Sequence, residues 1–152
     1  MTADHGVIVV GVDGSSDATR AVGWALDEAR RWGDSVLLVY AWQYPAIAVT
    51  TYAGDPLPVF GHEEIEKIAA EILAKARDDA RAREPSVDVQ TRLVEGHPGA
   101  VLVDASAGAR LLVVGSRGLG GFKGMLMGSV SSSCTHHARC PVVVVPPVAA
   151  HG

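Results

Sequence analysis

Between residues 115 and 129 the chain reads GSRGLGGFKGMLMGS, and six of these fifteen residues are glycine. Glycine loses more conformational entropy on folding than any other residue, so a run this rich calls for a reason. Without a Cβ, backbone N–H groups can approach an anion closely and adopt the positive-φ conformations of an anion nest. Gly128-Ser129 then opens a helix, whose first N–H groups and positive dipole end favour phosphate. Ser129, Ser131 and Ser132 add hydroxyl donors, and Arg117 and Lys123 add positive charge. These are the parts of a phosphate cradle; the plain alternative is a surface loop with an ordinary serine N-cap. The familiar phosphate strings do not fit. No GxxxxGK[ST] occurs, and Gly118-Leu119-Gly120 has Lys123 where a dinucleotide fingerprint needs its third glycine and lies far from the first strand.

Asp13 closes the first apolar run and precedes Gly14. A carboxylate there suits ligand contact, metal binding or catalysis, and equally a simple turn, which Asp favours. His136 and His137 with Cys134 and Cys140 suggest a metal, but adjacent helical side chains point about 100° apart, and two cysteines make neither a disulfide framework nor a four-cysteine zinc site. Polar residues at a helix end and reduced thiols account for them. His97 beside Pro98 reads as a turn residue. Trp24, Trp32 and Trp42 read as packing residues, with Trp42, at the end of a strand, also open as a stacking surface. No Ser/His/Asp order, HxGH string or carboxylate pair for acid/base work presents itself.

These residues need elements to position them. GVIVVGV (6–12) is a continuous β-branched run, as in a strand buried on both faces of a parallel sheet. Ala18, Val22, Ala25, Ala29 and Trp32 follow at helical spacing, with Ser15 or Ser16 as N-cap and Gly33 as the residue beyond the end. SVLLVYAW (35–42) is a second buried strand. Residues 43–61, with three prolines and two glycines, predict an irregular connection. Ile65, Ile68, Ala69, Ile72, Leu73, Ala76 and Ala80 form the apolar face of the next helix. VDVQTRLV (87–94) alternates and so has one solvated face, the mark of an edge strand. Gly96-His97-Pro98-Gly99 turns into a short helix over about 99–107. RLLVVG (110–115) is a central strand, the glycine loop follows, Ser129 opens a helix to about 138, and PVVVVPP (141–147) is the last strand.

The alternation β-α-β-α-β-α-β-α-β predicts an α/β fold, an open five-stranded parallel sheet with right-handed crossovers. Central strands 1, 2 and 4 with strand 3 at an edge give the order 3-2-1-4-5. Its topological switch point lies between strands 1 and 4, where ligands of open α/β sheets bind beyond the carboxyl ends. Val12-Asp13-Gly14 and the loop from Gly115 both reach that crevice.

Composition bounds the rest. The 152 residues, 48% hydrophobic and 20% charged, suit a single domain over 1–152 with a sizeable core. No apolar run approaches the 18 or so residues of a membrane-spanning helix, and MTADHG has no basic or long apolar stretch of a secretory signal; a cytoplasmic location is expected. All 17 acidic residues lie at or before Asp104, leaving a balance of −8 over 1–104 and +4 over 105–152. Four basic residues in that stretch are too few for nucleic acid but suit a small anion.

Gly115-x2-Gly118-x9-Gly128-Ser129 resembles the G-x2-G-x9-G-[ST] signature of the universal stress protein family. The resemblance runs over nearly the whole chain: an opening strand ending VDGS, the Gly96-His97-Pro98 turn, LLVVGSRG and the closing CPVVVVP. It implies a Rossmann-like sheet with helices on both faces and, in the motif-bearing branch, ATP binding in a stress-response or regulatory role. Carried over, Val12, Asp13 and Ala41 would surround the adenosine, Gly115, Arg117 and Gly118 would lie by ribose and phosphates, and Gly128, Ser129, Val130 and Ser131 would hold the phosphates through N–H and hydroxyl groups. Mg would come with the nucleotide rather than to a protein site of its own. The resemblance also implies a homodimer, which the sequence supports independently: Val142, Val143, Val144 and Val145 form an uncharged terminal edge strand open to a second copy. Two other functions compete, a slow ATPase or nucleotide-transfer enzyme and a dimeric interaction module that does not use nucleotide. Since no residue presents itself to orient water at a γ-phosphate, hydrolysis is expected to be slow at most.

Overall fold

In a computed structural model, residues 5–44, 51–52, 55–56, 61–118 and 127–148 are described. In chain order the elements are β1 (Val7–Gly11), α1 (Ser16–Trp32), β2 (Ser35–Trp42), β3 (Thr51–Tyr52), β4 (Asp55–Pro56), α2 (His62–Arg83), β5 (Val89–Glu95), α3 (Pro98–Ala105), β6 (Leu111–Gly115), α4 (Ser129–His137) and β7 (Val142–Val145). The five long strands form one sheet in the order β5-β2-β1-β6-β7, every pair parallel. Counting only these strands, that is the expected 3-2-1-4-5.

The central strands lack alternation because both their faces are covered. Ile8, Val10 and Val12 of β1 and its extension pack under α1 and α2 with Leu26, Val36, Leu38 and Leu73. Val9 faces the other way, onto Leu102 of α3 and Cys134 of α4, with Val39, Leu112 and Val114. In β5 the alternation has its expected cause: Val89 is buried while Gln90 and Arg92 are exposed.

At the N-terminal ends of the strands, the buried Asp34 carboxylate accepts from Gly6 N (2.8 Å) and pairs with Arg110 Nε (2.8 Å), tying together the starts of β1, β2 and β6. Ser15 caps α1 by accepting from Ala18 N at 3.1 Å, and Gly33 closes it in the left-handed conformation, φ 73°.

Three expectations are corrected. Residues 43–61 are not wholly irregular: Thr51–Tyr52 pairs antiparallel with Asp55–Pro56, a hairpin too short to produce any hydrophobic period. Trp32 is 57% exposed; it sits in the last turn of α1, its indole N–H donating to Glu28 Oε1 at 2.7 Å. Ile68 is 47% exposed, because the covered stripe of α2 is narrower and runs through Ala69, Leu73 and Ala80. Lys123 and the other loop residues from 119 to 126 lie outside the described residues.

Candidate functional site

β1 and β6 are neighbours in the sheet, and the chain leaves their carboxyl ends in opposite directions. Beyond Gly11 the first strand continues as Val12, whose N–H donates to Val39 O at 2.9 Å. Asp13 then turns the chain. Its Oδ1 accepts from Ser15 N at 2.9 Å, an Asx turn made with Gly14 at φ 82°. The carboxylate is therefore held between the strand and the helix. Its other oxygen faces the glycine loop: a Cβ on Gly118 would lie 2.7 Å from Asp13 Oδ2. Asp13 also acts at a distance on Tyr40, whose pKa is raised first by burial and then by this negative charge.

β6 ends at Gly115 because α1 is pressed against it. A Cβ there would meet Asp17 Cβ at 2.8 Å and the Asp17 backbone at 2.9 Å. The next residue pins both ends of the loop. Ser116 N donates to Val145 O (3.0 Å), and Ser116 O accepts from Gly128 N (2.6 Å) and from Ser131 Oγ (2.8 Å). Gly128 is the N-cap of α4, extended at φ −79° and ψ 171°, with no side-chain cap. The first intrahelical bond runs from Ser132 N to Gly128 O, so the N–H groups of Ser129, Val130 and Ser131 have no partner within the helix.

Val12, Asp13, Ala41, Gly115, Arg117, Gly118, Gly128, Ser129, Val130 and Ser131 all line one cavity of about 410 Å³, joined by Gly11, Ala18, Val39, Pro98, Leu102 and Val114. Its donors and acceptors are unevenly distributed. β2 and α3 contribute only apolar side chains, Val39, Ala41, Pro98 and Leu102. The carboxylate of Asp13, the guanidinium of Arg117 and the α4 N–H groups come from the two strand ends and the loop. Arg117 Nε stands 3.6 Å from Asp17 Oδ2.

Two details differ from the sequence reading. None of Gly115, Gly118 and Gly128 has a positive φ; among the described residues the glycines that do are Gly14, Gly33 and Gly108. Gly115 makes room for α1, Gly118 for the Asp13 carboxylate, and Gly128 caps a helix. The Ser131 hydroxyl is turned inward, to Ser116 O and to Gly128 O at 3.0 Å, which leaves its backbone N–H for a ligand.

Apart from Ala41, the apolar wall escaped the sequence reading, as did Asp17. Val39 was legible as the same-face neighbour of Ala41, two residues back on a strand, and Pro98 and Leu102 as one turn apart on a helix. Nothing local marks Asp17, because its importance depends on Gly115, 98 positions away. Trp42 is buried but outside the cavity lining, edge-on to His62 with centroids 4.7 Å apart. His136 Nδ1 lies 2.7 Å from Ser132 O. Burial pushes the Cys134 thiol up to about 11. Among the described residues no three His, Cys, Asp or Glu side chains are grouped to hold a metal, and no helix is long and apolar enough to cross a membrane.

A family model described as the universal stress protein family matches residues 5–146. A universal stress protein of Mycobacterium tuberculosis is 38% identical over 140 residues, covering 92% of this chain and 45% of the relative; the chain thus spans less than half the length of that relative. Among solved structures, a universal stress protein in complex with cAMP is 28% identical, with a TM-score of 0.68 over 93% of this chain and 97% of that one. A universal stress protein from Archaeoglobus fulgidus is 26% identical, with a TM-score of 0.69 over 92% and 93%.

Proposed function

The chain belongs to the universal stress protein family, and from that premise we propose that it binds an adenine nucleotide, ATP foremost, as a regulatory protein rather than a catalyst. The observation that carries this reading is the meeting, in one cavity of about 410 Å³, of an apolar wall with the uncapped N-terminus of α4. The size falls in the usual range for small-molecule sites, roughly 300–1,000 Å³. A purine needs a flat apolar bed, which Val39, Ala41 and Leu102 supply. A phosphate needs converging donors and positive charge, which the N–H groups of Ser129, Val130 and Ser131 supply with Arg117. Asp13, held by Ser15, accepts hydrogen bonds from the nucleoside, and Val12, Gly115 and Gly118 let it approach. The complex of a family member with cAMP supports the adenine class; the phosphate end supports a linear polyphosphate.

Mg would come with the nucleotide, since among the described residues no group of His, Cys, Asp or Glu side chains is placed to hold it. The protein acts in the cytoplasm, through a single nucleotide-binding domain. Catalysis has no support in the cavity: its described charged side chains are Asp13 and Arg117. Asp13 is already bound to the turn, and among the described residues no other carboxylate or histidine lines the cavity to orient water.

The active form is a homodimer through β7. Val142, Val143, Val144 and Val145 are all only half-buried, on the outer edge of the sheet. The opposite edge is treated differently: Arg81 donates to the outward Val89 carbonyl through Nε (3.3 Å) and Nη2 (2.7 Å). One edge is thereby blocked by a charged side chain while the other presents uncharged β-branched residues.

Calorimetric titration with ATP, ADP, AMP, cAMP and adenosine, with and without Mg²⁺, tests the binding reading. Saturable binding of ATP at one site per chain is expected. Failure of every adenine compound to bind would overturn it, and multiple-turnover release of phosphate would move the protein into the enzyme class.

A further inference from the structure

Asp17 is a buried carboxylate that the cavity itself does not use. It lies in the first turn of α1 and is 7% exposed, a degree of burial that a carboxylate adopts only when paired. Oδ1 is paired with Arg20, one turn further along the helix. Oδ2 has no hydrogen-bond partner, and Arg117 approaches it through Nε at 3.6 Å. Asp17 is held in place by packing. A Cβ on Gly115 would stand 2.8 Å from Asp17 Cβ and 2.9 Å from its backbone carbon and oxygen, so the helix turn lies directly against the strand end.

Arg117 is less enclosed: its side chain is 25% exposed, against 10% for that of Asp17. It leaves the sheet two residues after Gly115 and is followed by Gly118, which offers no side chain to pack against. A long, flexible guanidinium in such a place has many rotamers and must lose them on gripping a ligand. Asp17 supplies a fixed point close to its Nε and leaves the terminal nitrogens, which grip a phosphate in pairs, for the cavity. A separation of 3.6 Å exceeds a charge-assisted hydrogen bond, about 2.7–2.9 Å. With Arg20 taking the closer contact, Asp17, Arg20 and Arg117 together keep one positive charge. The guanidinium is oriented without being neutralised.

We propose that Asp17 is a positioning residue for Arg117, so that the preference of the cavity for a phosphorylated over an unphosphorylated nucleoside is set from α1 rather than by the glycine loop alone. This rests on the adenine-nucleotide reading given above and names what controls its selectivity.

The test uses Asp17→Asn, Asp17→Ala, Arg117→Ala and the Asp17→Ala/Arg117→Ala double variant. Asp17→Asn keeps the side-chain volume and guards against a simple failure to fold. Affinities for ATP, AMP and adenosine are measured by calorimetry, and the Arg117 Nε–Hε signal, assigned by its loss in Arg117→Ala, is followed by ¹⁵N NMR in the ligand-free protein. The parent should show an ordered Nε–Hε signal that Asp17→Asn and Asp17→Ala broaden or lose. The ratio of ATP to adenosine affinity should fall about tenfold, equivalent to about 1.4 kcal/mol, and the double variant should be no worse than Arg117→Ala alone. Equal losses for ATP and adenosine would overturn the proposal in favour of simple support of α1. So would independent losses that multiply in the double variant, a rise in ATP affinity, or an unchanged Nε–Hε signal. A parent that binds neither ATP nor adenosine would instead refute the nucleotide reading, and the Nε–Hε signal would still decide whether Asp17 orders Arg117.

Discussion

Replacing Gly118 with alanine adds one carbon where the structure leaves no room for it. The new Cβ would lie 2.7 Å from Asp13 Oδ2, about 0.7 Å inside an ordinary contact. Either the loop or the carboxylate must move. The carboxylate is the softer of the two, but its Oδ1 is held by Ser15 N at 2.9 Å, so a rotation that clears the new methyl strains or breaks that bond. The fold loses one partly exposed hydrogen bond, about 0.5–1.5 kcal/mol. At about 2–4 °C per kcal/mol for a chain of this size, Tm should fall by only a few degrees. Binding should suffer more. If Asp13 accepts from the nucleoside, its displacement removes a hydrogen bond to a charged group, about 1.5–3 kcal/mol, or roughly 10- to 150-fold in Kd. Because the contact is to the nucleoside, ATP and adenosine should weaken by the same factor, in contrast to the phosphate-selective loss expected at Asp17. Calorimetry with both ligands, alongside a thermal melt, reads both quantities. A folded Gly118→Ala variant that binds ATP and adenosine as the parent does, with the Ser15 N–H to Asp13 bond intact, would refute the reasoning.

Gly128→Val should fold, since a Cβ there has its nearest neighbours at 3.5–3.7 Å, yet weaken ATP by well over tenfold, above about 1.4 kcal/mol, by crowding the N-terminus of α4; undiminished binding in a calorimetric titration would remove the phosphate-cradle reading. Asp13→Ala should weaken ATP and adenosine alike and independently of Mg²⁺; a loss confined to Mg²⁺-containing titrations would make Asp13 a metal ligand instead. In sedimentation equilibrium at micromolar concentration the parent should run at twice the monomer mass, and Val143→Lys with Val145→Lys should shift it toward monomer. The Cys134 thiol, with its pKa raised by burial from 9.0 to about 11, favours folding fully below pH 9 and loses that contribution as pH rises toward 11, so denaturant midpoints should fall over that window and fall less in Cys134→Ala.

The sheet order was legible because burial leaves different imprints on central and edge strands. The runs at 7–12, 35–42 and 111–115 lack alternation since α1 and α2 cover one face and α3 and α4 the other, while Gln90 and Arg92 betray the uncovered face of β5. Three strands that had to be central and one that had to be an edge leave few orders open. The short hairpin of Thr51–Tyr52 and Asp55–Pro56 left no such imprint, because two residues per strand are below the length at which any period can repeat. Trp32 and Ile68 were misplaced for a related reason. Helical spacing identifies a stripe, but its width depends on how far the neighbouring strands extend beneath it.

The cavity shows where local pattern stops. Asp13 and the glycine loop were visible because each departs from what its element needs: a carboxylate ending an apolar strand, and glycines where spacing alone would not require them. Apart from Ala41, the apolar wall was hidden because Val39 and Leu102 do what core residues do everywhere and line a cavity only where the sheet opens. Asp17 was hidden more deeply. In sequence it is an acidic residue in the first turn of a helix, an ordinary partner of the dipole. Only the close approach of that turn to Gly115 brings it beside Arg117, and the reason for that approach is the absence of a side chain on another strand. Glycine in this site therefore acts twice, admitting the Asp13 carboxylate at Gly118 and admitting a helix at Gly115. The second role needs no positive φ and no anion, and the glycine count of the loop cannot distinguish it from the first.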